Sequence, residues 1–205
     1  MSLKTLLTAA LFGFVSLAQA ATSTPGEIVK TRTDTLLKTL VEQRASFAAD
    51  PNRLNEFVKS QLNAVMDREY SAQLVLGKHA RDAKPEQIVA FADALTDSLL
   101  RKYGTALLDL DPNVDVNVKS ETPLRDGKYM RVASEILRKG GAAVPVDYMF
   151  RAGKDGEWKV FDVIVEGVSY VQTYRTQFDE QLRSQTLDQV TAKLRAGEIN
   201  VSAGG

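Results

Sequence analysis

The chain has 205 residues, with 26 basic and 26 acidic side chains and no cysteine. A balanced charge gives no electrostatic reason to bind DNA or RNA, and the lack of cysteine excludes disulfides, thiolate metal sites and an acylated lipoprotein anchor. We therefore expect no nucleic-acid partner, and a length that suits one domain.

Residues 1–20 have the form of an export signal. Lys4 precedes an apolar run from Leu6 to Leu17, and Ala18-Gln19-Ala20 has the small-x-small pattern that signal peptidase requires. The run is too short to cross a hydrocarbon layer of about 30 Å comfortably. We predict cleavage after Ala20 and a soluble, exported protein.

Helical periodicity dominates the first half of the chain. Apolar residues three or four positions apart predict four amphipathic helices before residue 104. Asp50 supplies a cap and Pro51 a first-turn proline for the second helix, and Pro85 opens the fourth. The four are expected over Gly26–Phe47, Pro51–Val65, Glu69–Gly77 and Pro85–Tyr103.

The period changes to two after Asp111-Pro112. Valines at 114, 116 and 118 alternate with polar residues, as in a half-buried strand. Three more strands are predicted near 128–138, 143–152 and 157–165. Short links that contain glycine separate the strands, and such links favour hairpins and an antiparallel meander.

Two further helices are predicted after the strands, because Ser169 with Gln172 and Thr186 with Gln189 form capping-box patterns. Helices followed by a four-stranded antiparallel sheet and more helices predict an α+β fold, with a curved sheet packed against several helices. We predict one such domain over residues 21–200, with a flexible tail over 201–205, and expect a monomer.

The stretch from Trp158 to Phe178, WKVFDVIVEGVSYVQTYRTQF, carries the most specific pattern of the chain. It contains a W-x-V-x-D-V-x-V-E-G-V-S run, then a Tyr-Arg pair and a phenylalanine. This block resembles the signature of the MlaC family, also called the toluene-tolerance family, of periplasmic phospholipid-binding proteins. The matching residues are Trp158, Val160, Asp162, Val163, Val165, Glu166, Gly167, Val168, Ser169, Tyr174, Arg175 and Phe178. The resemblance extends to Leu76-Gly77, Pro85-Glu86-Gln87, Phe91, Tyr103 and Ala106-Leu107.

The resemblance implies a nuclear-transport-factor-like core with extra helices that enclose an apolar cavity. It implies a carrier that shuttles phospholipid between the outer and inner membranes and maintains outer-membrane lipid asymmetry, with the acyl tails held inside. By analogy, its partners are an MCE-domain protein of an inner-membrane ABC transporter and an outer-membrane lipoprotein–porin complex. Phospholipid is then the ligand, and no other cofactor, metal or catalytic residue is expected.

Apolar stripes along two strands and two helices are the candidates to line this cavity. Taken singly, each stripe is explained by ordinary core packing, and the family resemblance favours a cavity. Such a cavity should reach or exceed the upper end of the usual range of about 300 to 1,000 Å³. Phe161, Val163 and Val165 are expected to share one side of their strand. The predicted lipid-binding residues are Leu95, Leu99, Val144, Val146, Tyr148, Phe150, Phe161, Val163, Val165, Val171, Tyr174 and Phe178.

Two cations, Arg175 and Lys159, are expected near the proposed mouth of the cavity. They could steer the lipid headgroup or an acidic surface of a partner. Solvated surface charge is the simpler account of both, and it is favoured.

Residues able to carry catalysis are few. His79 is the only histidine, which excludes a multi-histidine metal site, and an exposed loop position is favoured for it. Asp162 and Glu166 lie about 13 Å apart on a strand, so contacts with backbone amides or Arg175 are favoured over acid–base work. Two alternatives stay open: an isomerase or dehydratase that uses Asp162 or Tyr148, and a non-catalytic adaptor whose aromatic groove binds a partner helix or peptide.

Overall fold

The structure, a computed structural model, describes residues 23–111, 113–138, 140–153 and 156–202. The predicted export signal lies outside the described residues. Within them, no helix combines the length and the apolarity needed to span a bilayer. The α-helices are α1 (Pro25–Glu42), α2 (Arg44–Ala49), α3 (Pro51–Val65), α4 (Arg68–Leu76), α5 (Pro85–Tyr103), α6 (Tyr170–Gln181) and α7 (Leu187–Ala196). The strands are β1 (Asp115–Leu124), β2 (Tyr129–Leu137), β3 (Val144–Ala152), β4 (Trp158–Val165) and β5 (Val168–Ser169).

The strands form one open antiparallel sheet in the order β1-β2-β3-β4-β5. The α+β class is therefore confirmed, but the sheet has five strands rather than the predicted four. The chain reverses at Glu166 and Gly167, which have φ of 51° and 84°. This turn brings Val168 back to pair with Val165. The fifth strand is thus the short return of β4 before α6 begins.

A β-bulge interrupts β4. Val160 pairs with Phe150 of β3, and Asp162 pairs with the adjacent Met149, so Phe161 has no pairing partner. The prediction that Phe161 shares a side with Val163 and Val165 is therefore wrong. The alternation of side chains continues on either side of the bulge but is shifted by the extra residue.

The ring of Phe161 packs in an aromatic cluster on the other face of the sheet. It contacts Tyr70 and Tyr129 edge-on, with centroid distances of 5.4 and 5.7 Å. Tyr129 pairs with Arg151, whose side chain alternates with that of Phe150. Phe161 thus lies away from the face that carries Phe150.

The first predicted helix is divided at Gln43, where φ is −107° and ψ is 12°. Arg53 of α3 donates a hydrogen bond of 3.1 Å to the Gln43 side-chain oxygen. The change of direction allows the rings of Phe47 and Phe57 to stack, with their centroids 5.3 Å apart. Packing of α2 on α3 therefore outweighs the continuous helical pattern from residue 26 to residue 47.

Three apolar clusters hold the described part of the chain together. One fills the space among α4, α5, α6 and α7, where Phe91 and Phe178 meet edge to face at 5.0 Å. A second lies between the sheet and α1, and a third joins α1, α2, α3 and α5. Val201 is buried in the first cluster, and Gln177 donates to the Ser202 carbonyl. The chain is thus packed through Ser202, and residues 203–205 of the predicted tail lie outside the described part.

Candidate functional site

A mostly apolar groove of about 190 Å³ lies between α1, α3 and the sheet. It is smaller than the cavity that the sequence predicts. One of its lining residues, Arg32, is charged. The lining consists of Ile28, Val29, Arg32, Thr33, Leu36, Val58, Gln61, Leu62, Val65, Tyr148, Phe150 and Val160.

The two helices present the same pattern of positions to this groove. Residues at i, i+3, i+4 and i+7 share one face of a helix, and both helices use this spacing, with a polar side chain at i+3. The α1 set is Val29, Arg32, Thr33 and Leu36. The α3 set is Val58, Gln61, Leu62 and Val65. Side chains of β3 and β4 complete the groove.

Six of the twelve predicted lipid-binding residues lie on the sheet face that α1 and α3 cover. Tyr148 and Phe150 line the groove directly. Val163 pairs with Tyr148, and Val165 pairs with the buried Val146, so these side chains continue the same apolar face. Val144 lies two residues before Val146 on this face. The structure thus brings the predicted strand stripes together.

The helical members of the predicted set lie in the cluster among α4, α5, α6 and α7. This cluster is separate from the groove, and Phe178 is fully packed against Phe91 within it. The members in this cluster are Leu95, Leu99, Val171, Tyr174 and Phe178. Phe161 belongs to the aromatic cluster described above.

The groove also contains residues that the sequence reading did not select. Its helical wall comes from α1 and α3, whose apolar faces were recognised as amphipathic but not assigned to a site. The repeated i, i+3, i+4, i+7 spacing marks the apolar faces of both helices, and alternation along β4 marks Val160, but neither pattern shows which layers face each other. The residues missed are Ile28, Val29, Arg32, Thr33, Leu36, Val58, Gln61, Leu62, Val65 and Val160.

Asp162 and Tyr148, the two candidates for catalysis, lie on opposite faces of the sheet. Asp162 is buried and accepts hydrogen bonds from the Ser169 hydroxyl at 2.6 Å and the Val171 N–H at 3.0 Å. Its predicted contact with a backbone amide is thus confirmed. Burial raises the pKa of the Tyr148 phenol above its ordinary value of about 10, so the group is neutral at pH 7. The two side chains therefore do not contact each other across the sheet.

The two cations predicted near the mouth lie in different places. The Lys159 ammonium donates a hydrogen bond of 2.8 Å to the Ala64 carbonyl near the end of α3. Arg175 lies in a larger cavity of about 440 Å³, between α6 and a 3₁₀ helix over Gly77–Ala80. This cavity is on the side of the sheet away from the groove and is lined mainly by charged and polar side chains. Its lining consists of Leu76, Lys78, Gln172, Arg175, Thr176, Asp179, Glu180 and Arg183.

His79 is not the exposed loop residue that was predicted. Its side chain is 21% exposed, and Nε2 lies 2.9 Å from Oδ1 of Asp179. The same carboxylate forms ion pairs with the Lys78 ammonium at 2.7 Å and with the Arg183 guanidinium at 3.1 Å. The histidine therefore helps to join the 3₁₀ helix to α6.

These contacts predict a dependence of stability on pH. Hydrogen bonds from Lys78, then His79 and Arg183, hold the pKa of the Asp179 carboxyl well below its usual value of about 3.9. A carboxyl whose pKa is lowered by folding stabilises the fold above its unfolded pKa, and this stabilisation is lost as the pH falls through the folded pKa. Asp179→Asn should therefore reduce the loss of stability below about pH 4.

Urea unfolding at pH 7, 4, 3 and 2 measures this effect. Glu180→Gln, at the next position of α6, is the matched control and should keep the acid dependence of the parent chain. An unchanged acid dependence in Asp179→Asn would contradict the prediction.

Comparison with known proteins identifies relatives over most of the chain. Residues 30–196 match the family model described as MlaC protein. The chain is 31% identical over 168 residues to Toluene tolerance protein ttg2D of Pseudomonas putida, which covers 82% of this chain and 77% of the relative. It is 27% identical over 194 residues to the intermembrane phospholipid transport system binding protein MlaC of Haemophilus influenzae, over 93% of this chain and 90% of the relative.

A solved structure shares the fold. It is described as a phospholipid-binding protein from Ralstonia solanacearum in complex with a phospholipid. The TM-score is 0.74 at 24% sequence identity, and the match covers 85% of this chain and 97% of that chain. The family model spans the whole block from Trp158 to Phe178. The chain therefore belongs to the MlaC family.

Proposed function

We propose that this chain is a periplasmic phospholipid carrier that shuttles lipid between the outer and inner membranes. Family membership and a relative named for intermembrane phospholipid transport support this function. The observation that carries the proposal is the apolar groove, which has one charged lining residue, in a fold shared with a protein bound to a phospholipid. The groove between α1, α3 and the sheet receives the acyl tails.

The energetics of lipid transfer suit such a groove. Each methylene group exposed to water costs about 0.8 kcal/mol, so a free two-tailed lipid is strongly unfavourable in water. An apolar groove removes most of this cost. Because the interior of a bilayer is also apolar, transfer from bilayer to groove changes the free energy little. The carrier can therefore both load and release its lipid.

The groove has to widen to hold a diacyl lipid. Its volume of about 190 Å³ is below the range of about 300 to 1,000 Å³ that is usual for small-molecule pockets. The sheet is continuous across β1 to β4, whereas α1 contacts it through side chains. The backbone joins α3 to the sheet just past its last residue, where Met66 forms a bridge with Val160. Movement of these helices away from the sheet would create an enclosed cavity like that of a nuclear-transport-factor-like core. The half-buried face around Val163 and Val165 then also contacts the tails.

Widening predicts a longer distance between α1 and α3 in the lipid-loaded protein. The chain has no cysteine, so the double variant Thr35→Cys/Asn63→Cys takes spin labels only at the two exposed positions that flank the groove. Pulsed electron resonance should show a longer separation after incubation with phosphatidylglycerol vesicles. A label pair at Glu86 and Lys102 of α5, about 24 Å apart along one helix, is the control and should not change. Equal α1–α3 distances with and without lipid would contradict the widening.

Lipid analysis of the purified chain tests the function itself. Extraction with organic solvent followed by mass spectrometry should recover diacyl phospholipid that co-purifies with the protein. A lipid-stripped sample should also take up phospholipid from vesicles. A chain that carries no lipid after purification and takes up none would overturn the proposal.

The direction of transport requires partners. A carrier with one fixed affinity cannot drive net flow, so the two membranes must present surfaces that favour loading and release differently. An MCE-domain protein of an ABC transporter at the inner membrane and a lipoprotein–porin complex at the outer membrane would supply them. This arrangement follows from family analogy, and binding of each purified partner to loaded and stripped carrier would test it.

A further inference from the structure

Arg32 differs from the other cations of α1 in its contacts. The Lys30 ammonium lies 3.4 Å from Asp34 and 3.9 Å from Asp115, and that of Lys38 lies 3.9 Å from Glu42. No ion pair or hydrogen bond joins Arg32 to another residue of the described part of the chain. Its guanidinium is thus available to a ligand.

The position of Arg32 relates this free cation to the groove. Among the twelve described residues that line the groove it is the one that is charged, and it is exposed, whereas most of the others are buried or half-buried. Long cationic side chains cover apolar surface with their methylene stems and keep the charge in water. Because Arg32 lines the groove and is also exposed, we expect its guanidinium to lie in solvent at the edge of the groove. Thr33 and Gln61 add neutral polar groups to the same lining.

We infer that Arg32 binds the phosphate of the phospholipid headgroup while the tails occupy the groove. This inference rests on the proposed function and names the headgroup subsite within it. A lipid whose tails lie among Leu36, Leu62 and Phe150 must leave its phosphate at the mouth, because burial of an unpaired charge is costly. Guanidinium binds phosphate oxygens through paired charge-assisted hydrogen bonds. The subsite recognises the phosphate group that glycerophospholipids share, rather than one headgroup.

The chemistry predicts selectivity for phospholipid over an uncharged lipid with the same tails. Lipid-stripped protein is incubated with vesicles of dioleoyl phosphatidylglycerol and dioleoylglycerol at a ratio of about four to one, re-isolated and extracted. Mass spectrometry then gives the ratio of the two bound lipids. Arg32→Gln should lower the ratio of phosphatidylglycerol to dioleoylglycerol about tenfold, which is typical of a lost hydrogen bond to a charged group.

Matched variants separate the headgroup role from other effects. Lys30→Gln removes the same charge from the same helix outside the groove and should leave the ratio unchanged, and Arg32→Lys should lower it less than Arg32→Gln. Glycerol phosphate, which has no tails, should not bind measurably. Tight binding of glycerol phosphate would assign Arg32 to a free phosphate ester and overturn the headgroup role.

Two further outcomes would also overturn the inference. In the first outcome, the parent chain binds both lipids, and Arg32→Gln either leaves their ratio unchanged or lowers the bound amounts of both lipids equally. In the other, the parent chain binds neither lipid, and the proposed function then fails together with the subsite. The first outcome alone leaves the carrier function standing, so the two failures are distinguishable.

Discussion

Replacing Leu62 with aspartate is expected to lower the amount of bound phospholipid about a hundredfold. Leu62 is half-buried on α3 and lines the groove. A carboxylate at this position would have to lose water when the tails enter, at a cost of about 3 kcal/mol or more, and about 1.4 kcal/mol corresponds to a factor of ten in binding. Extraction and mass spectrometry of the purified variant measure the bound lipid per protein chain.

Two controls separate loss of binding from loss of folding. Leu62→Ala keeps the groove apolar, so it should retain lipid even though it weakens the packing of α3 against α1 and α2. Val41→Asp places the same charge on α1 at a position that is 43% exposed and outside the groove lining, and it should also retain lipid. Native circular dichroism together with normal lipid content in Leu62→Asp would refute the assignment of the groove.

The second large effect is expected at Asp162, where alanine should lower the free energy of unfolding by about 2 to 4 kcal/mol. The carboxylate accepts from the Ser169 hydroxyl and the Val171 N–H at the start of α6. Ser169 also caps this helix by accepting from the Gln172 N–H at 3.0 Å. Removal of the carboxylate leaves two partly buried donors without their acceptor. A buried donor left unpaired costs about 1 to 3 kcal/mol, and partial exposure keeps each of these donors in the lower part of that range, at about 1 to 2 kcal/mol.

Urea unfolding measures this loss, and Glu166→Ala is the control. Glu166 is an exposed carboxylate at the end of the same strand, so its replacement should change stability by no more than about 0.5 kcal/mol. Asp162→Ala should still bind lipid at temperatures where it is folded, because the residue faces away from the groove. A loss below about 1 kcal/mol would show that the Ser169 and Val171 donors find other partners.

Local sequence patterns predicted most of the fold. The last three predicted strands lie within one residue of β2, β3 and β4 at both ends, because glycine-containing links mark where antiparallel strands must turn. The caps at Asp50, Ser169 and Thr186 are all present, since each depends only on neighbouring backbone N–H groups. The break at Gln43 could not be predicted in this way, because it depends on Arg53 and on packing between two helices.

The strand residues of the site could be predicted, but the helices that cover them could not. Alternation along β3 placed Tyr148 and Phe150 on the face that lines the groove, because side-chain direction in a strand follows from local sequence. Which helices cover that face is a matter of tertiary packing. The helical stripe with Tyr174 and Phe178 is as apolar as those of α1 and α3, but it packs against α4 and α5 instead. An apolar stripe alone does not identify its partner layer.

The bulge at Phe161 explains an irregular interval in the family motif. Trp158 and Val160 are two residues apart, as are Val163 and Val165, but the interval between the pairs is three. Phe161 is the extra residue in this interval and has no pairing partner on β3. The side chains of Trp158, Val160 and Val163 therefore lie on the same face and belong to the cluster beneath α1. Deleting position 161 would therefore leave every other side chain of the strand on its present face. The motif thus encodes a strand of regular alternation plus one looped-out residue.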